Sequence, residues 1–282
     1  MVRDMQTPPL LTDRTTLCRN RARALRAPAL FLHEEAVSEV QERLIEVNRT
    51  FTTPAVITSF PGIWREFLPE ATIVADNEVL DLTVGAHDLI IHAMALHWAN
   101  DPVGQLVQCR RGLRPDGLFL GFMFGGQTLA ELRSCLAEAE TRVSGGLSPR
   151  VLPMGEIRDL GGLLQRAGFA LPVADSFTRK VRYRDAYHLM TDLRAMGEGN
   201  ALEQRLRRPT RRAVFSEMAQ IYQASYADSD GRIPATFETI CLTGWAPDAS
   251  QQTPLRPGSA THRLAEHLGA DEMPLPRDPR GG

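Results

Sequence analysis

Residues 33–47 place Ala36, Val37, Val40, Leu44 and Val47 at a period of about 3.6, with acidic side chains between them, and predict an amphipathic helix. Beyond it the period changes. Residues 55–59, 72–76 and 88–92 are short apolar runs of strand length. They are separated by the breaker Phe60-Pro61-Gly62 and by helix-length segments at 63–68 and 101–113. Arg114-Pro-Asp-Gly117 predicts a turn, because proline presets φ at its second position and glycine closes it. The turn feeds a continuous apolar run at 118–123. Strands that lack in–out alternation and take turns with helices are covered on both faces. The expected fold class is α/β: a doubly wound, mostly parallel sheet with a helical C-terminal elaboration.

After Phe124 the pattern is mainly helical, at 127–143, 155–167, 184–196 and 210–226, and the alternation at 236–245 predicts a strand that rejoins the sheet. Four regions follow: basic and amphipathic helices at 1–50, an α/β core at 51–125, a helical extension completing the sheet at 126–245, and a proline- and glycine-rich tail at 246–282. Residues 269–282 are expected to be disordered. Arg14, Arg19, Arg21, Arg23 and Arg26 make the first region a basic helix; with Arg3 and Asp4 and no apolar run before it, no secretory signal is expected. The longest uncharged run, 50–64, is 15 residues with two prolines, too short and too broken to span a bilayer.

Charge narrows the chemistry. A net charge of −2 argues against general nucleic-acid binding. Lys180 is the one lysine against 31 arginines, so a Schiff base or a phosphate-loop lysine would have to fall on it. Cys18, Cys109, Cys135 and Cys241 are widely spaced without a C-x-x-C pair, which speaks against a thiolate metal site or a disulfide framework. His87, His92 and His97 recur every five residues, a spacing that alternates faces in a strand and separates side chains by about 140° in a helix. His33 and Glu35 likewise point apart on a helix. No metal site is expected.

Ligands of doubly wound sheets bind beyond the carboxyl ends of the strands, a rim that residues 92–98 occupy here. Trp98 and Met94 serve there as site residues or as packing. Gly125-Gly126 reads as a tight turn or as an anion-holding helix start. Glu198 and Asn200 sit in a polar loop placed for substrate or for capping. Arg205, Arg207, Arg208, Arg211 and Arg212 form a basic run, either solvated or docking an acidic partner or a membrane surface.

Two segments then carry a resemblance: Leu96-His-Trp-Ala-Asn-Asp101 and Arg114-Pro-Asp-Gly-Leu-Phe-Leu-Gly121 resemble the class I S-adenosylmethionine-dependent methyltransferases. Phe124-Gly-Gly-Gln-Thr-Leu-Ala-Glu-Leu-Arg133, Gly145-Gly-Leu-Ser-Pro-Arg150, Arg158-Asp-Leu-Gly161, Arg166-Ala-Gly-Phe169, residues 192–201 and residues 230–237 extend the match. They resemble one branch, the methyltransferase-like complex I assembly factors of arginine-hydroxylase type and their alphaproteobacterial homologues. The biotin-pathway methyltransferase acting on a malonylated carrier is a more distant cousin.

The resemblance implies S-adenosylmethionine as cofactor, a protein partner such as a respiratory complex I subunit, and a bacterial cytoplasmic setting, including the inner face of the membrane. It places Ser59, Phe60, Gly62, Asp76, Asn77, His92 and Ala93 on the cofactor side, with Asp76 meeting the adenine amine. Trp98, Gly125, Gly126, Glu198 and Asn200 fall on the substrate side, and His97 is the candidate base. The departures are specific. Where the family has an acid and a G-x-G loop, this chain reads Ile57-Thr-Ser-Phe-Pro-Gly-Ile-Trp64, with one glycine and a proline that removes a donor. Between Ala55 and Asp88 lie 32 residues, whereas a βα unit takes roughly 20 to 25, so one unit and its ribose carboxylate are missing. Lost contacts of about 1 kcal/mol each, and 1.5 to 3 for a charged one, weaken cofactor binding by a few hundred-fold. The function expected first is that of an S-adenosylmethionine-dependent methyltransferase-like protein of this branch, acting on a protein substrate; the alternative is a complex I assembly factor, arginine-hydroxylating or a chaperone, that has weakened or lost cofactor binding.

Overall fold

Each apolar run of strand length in the first half takes its place in one sheet in a computed structural model of the chain, which describes residues 9–252. In chain order the elements are α1 (Arg14–Ala24), α2 (Phe31–Val47), β1 (Pro54–Ile57), α3 (Pro61–Phe67), β2 (Thr72–Val74) and β3 (His87–Ala93). A 3-10 turn (Leu96–Trp98), α4 (Pro102–Gly112), β4 (Leu113–Phe124), α5 (Ala130–Ser144) and α6 (Ile157–Arg166) follow. Then come β5 (Ala170–Tyr183), α7 (Ala186–Ala195), α8 (Arg212–Tyr226) and β6 (Ile233–Trp245). The strand order is β2-β1-β3-β4-β6-β5. β1 to β4 are parallel, and β6 runs antiparallel to both neighbours, so the other five strands share one direction.

Both faces are covered, which is why these strands read as unbroken apolar runs. Val56, Leu89, Ile91, Leu120 and Phe122 pack against α2, α5, α7 and α8. Ala55, Ile57, Ile90 and Phe119 face α4 and α6. The helix starts follow capping chemistry: Asp13 accepts from Thr16 N–H at 2.9 Å, Asp101 from Gly104 N–H at 2.8 Å, and Asp185 from His188 N–H at 2.8 Å. α3 and β2 are the only elements between β1 and β3.

β5 is absent from the expectation above. It is an edge strand whose outward residues, Arg179, Lys180 and Arg182 among them, are exposed, so it lacks the apolar run of an interior strand. Its pairing with β6 supplies what its own pattern does not. α5 starts at Ala130 rather than 127, because Leu129 adopts a left-handed backbone (φ +56°) that keeps the preceding turn out of the helix. The expected turn at 114–117 lies inside β4 as an irregularity with Asp116 at φ +58°. Residues 269–282, expected to be disordered, lie outside the described residues.

Candidate functional site

The crevice lies beyond the carboxyl ends of β1 to β4. At its β1–β2 end the loop after β1 turns its polar groups inward. Thr58 N–H donates to Val74 O (3.0 Å), and Thr58 Oγ1 accepts from Phe60 N–H (3.0 Å). Phe60 is buried against His33 of α2, ring centroids 4.9 Å apart, and Trp64 donates its indole N–H to His33 Nδ1 at 3.3 Å. Ser59 is half-buried and Gly62 is exposed, with open space where a Cβ would stand.

Asp76, just past β2, has no exposed side-chain surface. Arg21 of α1 forms a close ion pair with it, Arg14 stands 3.5 Å from its other carboxylate oxygen, and Arg14 also donates to the Asp76 carbonyl. Asn77 is exposed; its carbonyl accepts from Gln105 Nε2 (3.0 Å). Gln105 Oε1 meets His92 Nε2 at 2.8 Å, so that nitrogen carries the hydrogen and Nδ1 is left bare and buried. Burial lowers the pKa of His92 and keeps it neutral. Ala93 is buried and pairs with Phe122 of β4.

Two backbone features shape the other end. Met94 holds a left-handed conformation (φ +53°), a strained choice for a non-glycine that turns the chain into the 3-10 turn carrying His97 and Trp98. Gly197 (φ +77°) ends α7 with Glu198 N–H donating to Leu193 O at 2.9 Å, which folds Glu198 back over the crevice. Trp98 Nε1 donates to Glu198 Oε2 at 2.7 Å and His97 Nε2 approaches the same oxygen at 3.3 Å. Phe124 N–H donates to His97 Nδ1 at 3.5 Å, so the hydrogen of His97 sits on Nε2, toward Glu198. Both nitrogens of the candidate base are thus engaged. Burial pushes the pKa of Glu198 up, but His97, Arg21 and the Trp98 N–H together outweigh it, and the carboxyl titrates below its usual range.

A cavity of about 250 Å3 opens beside this carboxylate, walled by Trp98, Phe124, Leu132, Met154, Phe215 and Phe237, with Arg150, Arg194, Glu198 and Asn200 as polar lining. Asn200 holds its loop, donating to Pro149 O (2.8 Å) and accepting from Leu202 N–H (3.1 Å). Gly125 and Gly126 lie apart from that lining, in the turn before α5. Gly125 N–H donates to Glu238 O (2.8 Å), Gln127 N–H to Glu238 Oε2 (2.9 Å), and a Cβ on Gly125 would stand 2.5 Å from that oxygen. The chain's own carboxylate takes the anion position of this turn.

S-adenosylmethionine needs room at the ends of β1 and β2, backbone N–H groups facing it, and a carboxylate open to adenine. The residues present do not fit it. A Cβ on Gly197 would stand 3.0 Å from Arg21 Cγ and 3.4 Å from Phe60 Cζ, so Phe60, Gly197, Arg21 and Asp76 run in contact across that end. As for metals, Glu39, Asp175 and Cys241 converge, but Arg43 Nη2 lies 2.7 Å from Glu39 and 2.6 Å from Asp175, so a guanidinium already holds the cation position.

Arg14, Arg21, His33, Gln105 and Arg150 were not among the candidate site residues of the sequence: the first two stood there as part of a basic helix, His33 only as a rejected metal ligand, and Arg150 only in a motif. The first two carried a signal: seven residues apart in a predicted helix, they share one face. The others became visible only once α2, α4 and the segment at Arg150 were placed.

Fold and site together define a methyltransferase-like α/β protein whose crevice holds a buried Arg21–Asp76 pair at its β1–β2 end and a cavity beside Glu198 at the other. No family model matches the chain. Among curated proteins it is 37% identical over 234 residues to the mitochondrial arginine-hydroxylase NDUFAF5 of Danio rerio, covering 81% of this chain and 72% of the relative. The Homo sapiens protein of that name is 40% identical over 265 residues (84% and 76%). A malonyl-[acyl-carrier protein] O-methyltransferase from Methylovorus is 34% identical over 182 residues (64% and 59%). The chain belongs to the NDUFAF5 arginine-hydroxylase family. No helix among the described residues is long and apolar enough to cross a membrane.

Proposed function

We propose that this chain is an assembly factor of the complex I type that binds an arginine side chain of a protein partner, in the bacterial cytoplasm or at the inner membrane face, without S-adenosylmethionine. The observation that carries the reading is the asymmetry of the crevice: Phe60 and the Arg21–Asp76 pair fill one end, while the other keeps an aromatic-walled cavity with an ionised carboxylate. A guanidinium suits that cavity, stacking on Trp98 or Phe124 and pairing with Glu198. Of the other arginines that are buried nearby, Arg150 pairs with Glu140 and Arg21 with Asp76, while Arg194 in the cavity lining is exposed to solvent. The name of the relatives points to the same side chain.

Calorimetric titration with an arginine-containing peptide is expected to show binding that Glu198→Gln weakens at least about tenfold, the scale of a lost charge-assisted bond. A peptide with citrulline in place of arginine is expected to bind as weakly. S-adenosylhomocysteine is expected to give no heat at millimolar concentration. The identity to a malonyl-carrier methyltransferase, with Asp76 at the end of β2, favours a second reading, an S-adenosylmethionine-dependent transferase. Micromolar S-adenosylhomocysteine binding weakened by Asp76→Ala would establish that reading in place of the first.

A further inference from the structure

A second cavity, of about 300 Å3, adjoins the first: both are lined by Arg150, which forms their common wall. Arg150 is fixed there, its Nη1 donating to Thr210 Oγ1 at 2.6 Å and its Nη2 pairing with Glu140 at 2.5 Å. Glu140 also accepts from Ser148 N–H (2.9 Å), so the carboxylate in the second cavity is fully engaged by its own neighbours. The basic run divides around this cavity. Arg205 pairs with Asp13 (2.8 Å) and Arg207 with Glu203 (2.6 Å). Arg208 and Arg211 line the cavity, exposed and without an acidic partner among the described residues. Arg194, exposed and equally unpaired among them, lines the first cavity.

We propose that the two cavities form one groove for an extended, acidic segment of a protein partner, whose carboxylates meet Arg208 and Arg211 while a neighbouring side chain enters the first cavity across Arg150. The location of the free cations selects the occupant. Guanidinium groups lining a concavity favour an extended acidic chain, because a chain can enter where a bilayer, flat on this scale, spans the opening. Leu147, exposed at the lip, adds apolar contact for the same chain. The inference takes its orientation from the arginine reading of the first cavity.

The test uses the full chain and two fluorescein-labelled peptides followed by anisotropy, one with a central arginine flanked by glutamates and the other with the same arginine flanked by alanines. The glutamate peptide is expected to bind about tenfold tighter at low salt, the gain shrinking as ionic strength rises. Arg208→Glu with Arg211→Glu is expected to erase that gain and leave the alanine peptide unaffected, whereas Glu198→Gln weakens both peptides. Equal affinity of the two peptides would overturn the groove while leaving the arginine reading standing. A glutamate-dependent gain with no effect of Glu198→Gln would do the reverse. Phosphatidylglycerol vesicles that co-sediment the protein through Arg208 and Arg211, with no peptide gain, would give these arginines to a membrane surface and overturn the proposal. So would a gain that emerges only after Asp271→Lys with Glu272→Lys, which would assign the groove to the chain's own C-terminal segment.

Discussion

At the β1–β2 end of the crevice the carboxylate of Asp76 has no exposed surface and meets two arginines of α1; at the β4 end Glu198 is 10% exposed and faces a cavity. Both are acids at the rim of the same sheet, and both are held by donors from the chain itself. The difference lies in what those donors occupy. Arg21 reaches Asp76 with a long side chain that is itself buried, so the pair is shut off from solvent. Trp98 and His97 reach Glu198 from its flank, along the 3-10 turn, and leave its front open. One helix can thus bury the carboxylate at one end of a crevice while the carboxylate at the other end keeps a cavity before it.

The sharpest way to break this contrast is to unpair the closed end. Arg21→Ala leaves a fully buried carboxylate whose remaining arginine stands 3.5 Å away, and is expected to lower the unfolding free energy by about 3 to 5 kcal/mol in urea denaturation. The double variant Arg21→Met with Asp76→Leu is expected to recover most of that loss, since an apolar pair needs no partner. A single-variant cost below about 1 kcal/mol would mean that the pair does not close this end.

Acid acts on the same end with a smaller effect. Burial holds His33 neutral, its pKa lowered from 6.5 to about 4. The unfolded chain therefore takes up the proton first as pH falls. The stability tied to neutral His33 is complete above pH 6.5 and declines from there toward about 4. Urea midpoints at pH 7 and pH 5 are expected to give about 2 kcal/mol more loss in the natural chain than in His33→Gln. Equal losses would show that Phe60 and Trp64 do not keep that imidazole dry.

Smaller again is Asp13→Ala. Asp13 caps α1 and pairs with Arg205, and its carboxyl is held down at about 2, first by the Thr16 N–H. Its loss is expected to cost about 1 kcal/mol and to loosen the closed end through Arg14 and Arg21, read as faster amide exchange in α1. Unchanged exchange in α1 would separate the cap from the plug.

Much of the scaffold was legible in the chain. The apolar runs that became β1, β3 and the inner half of β4 had no alternation to confuse them, and the helix-length segment at 101–113 became α4. The short interval between Ala55 and Asp88 already implied a missing βα unit. Trp98, Glu198 and Asn200 were named as substrate-side candidates through the resemblance, beside packing or capping readings; the structure puts all three in the lining of one cavity, where Asn200 also holds its own loop. β5 was not, because an edge strand carries exposed arginine and lysine and takes its conformation from its partner.

The sequence alone determined the sheet's parallel core and the erosion of the glycine loop, since backbone chemistry and hydrophobic period act over a few residues and leave a local record. It also determined which side chains could bear charge at the rim. Only the tertiary structure decided that Arg21, more than fifty residues from Asp76 in the chain, would pair with that carboxylate and bury it. It alone decided, too, that Arg150 would stand between two cavities with Arg208 and Arg211 beyond it. Such pairings come from how helices pack on a sheet, and a long, flexible arginine side chain carries no period that would reveal them.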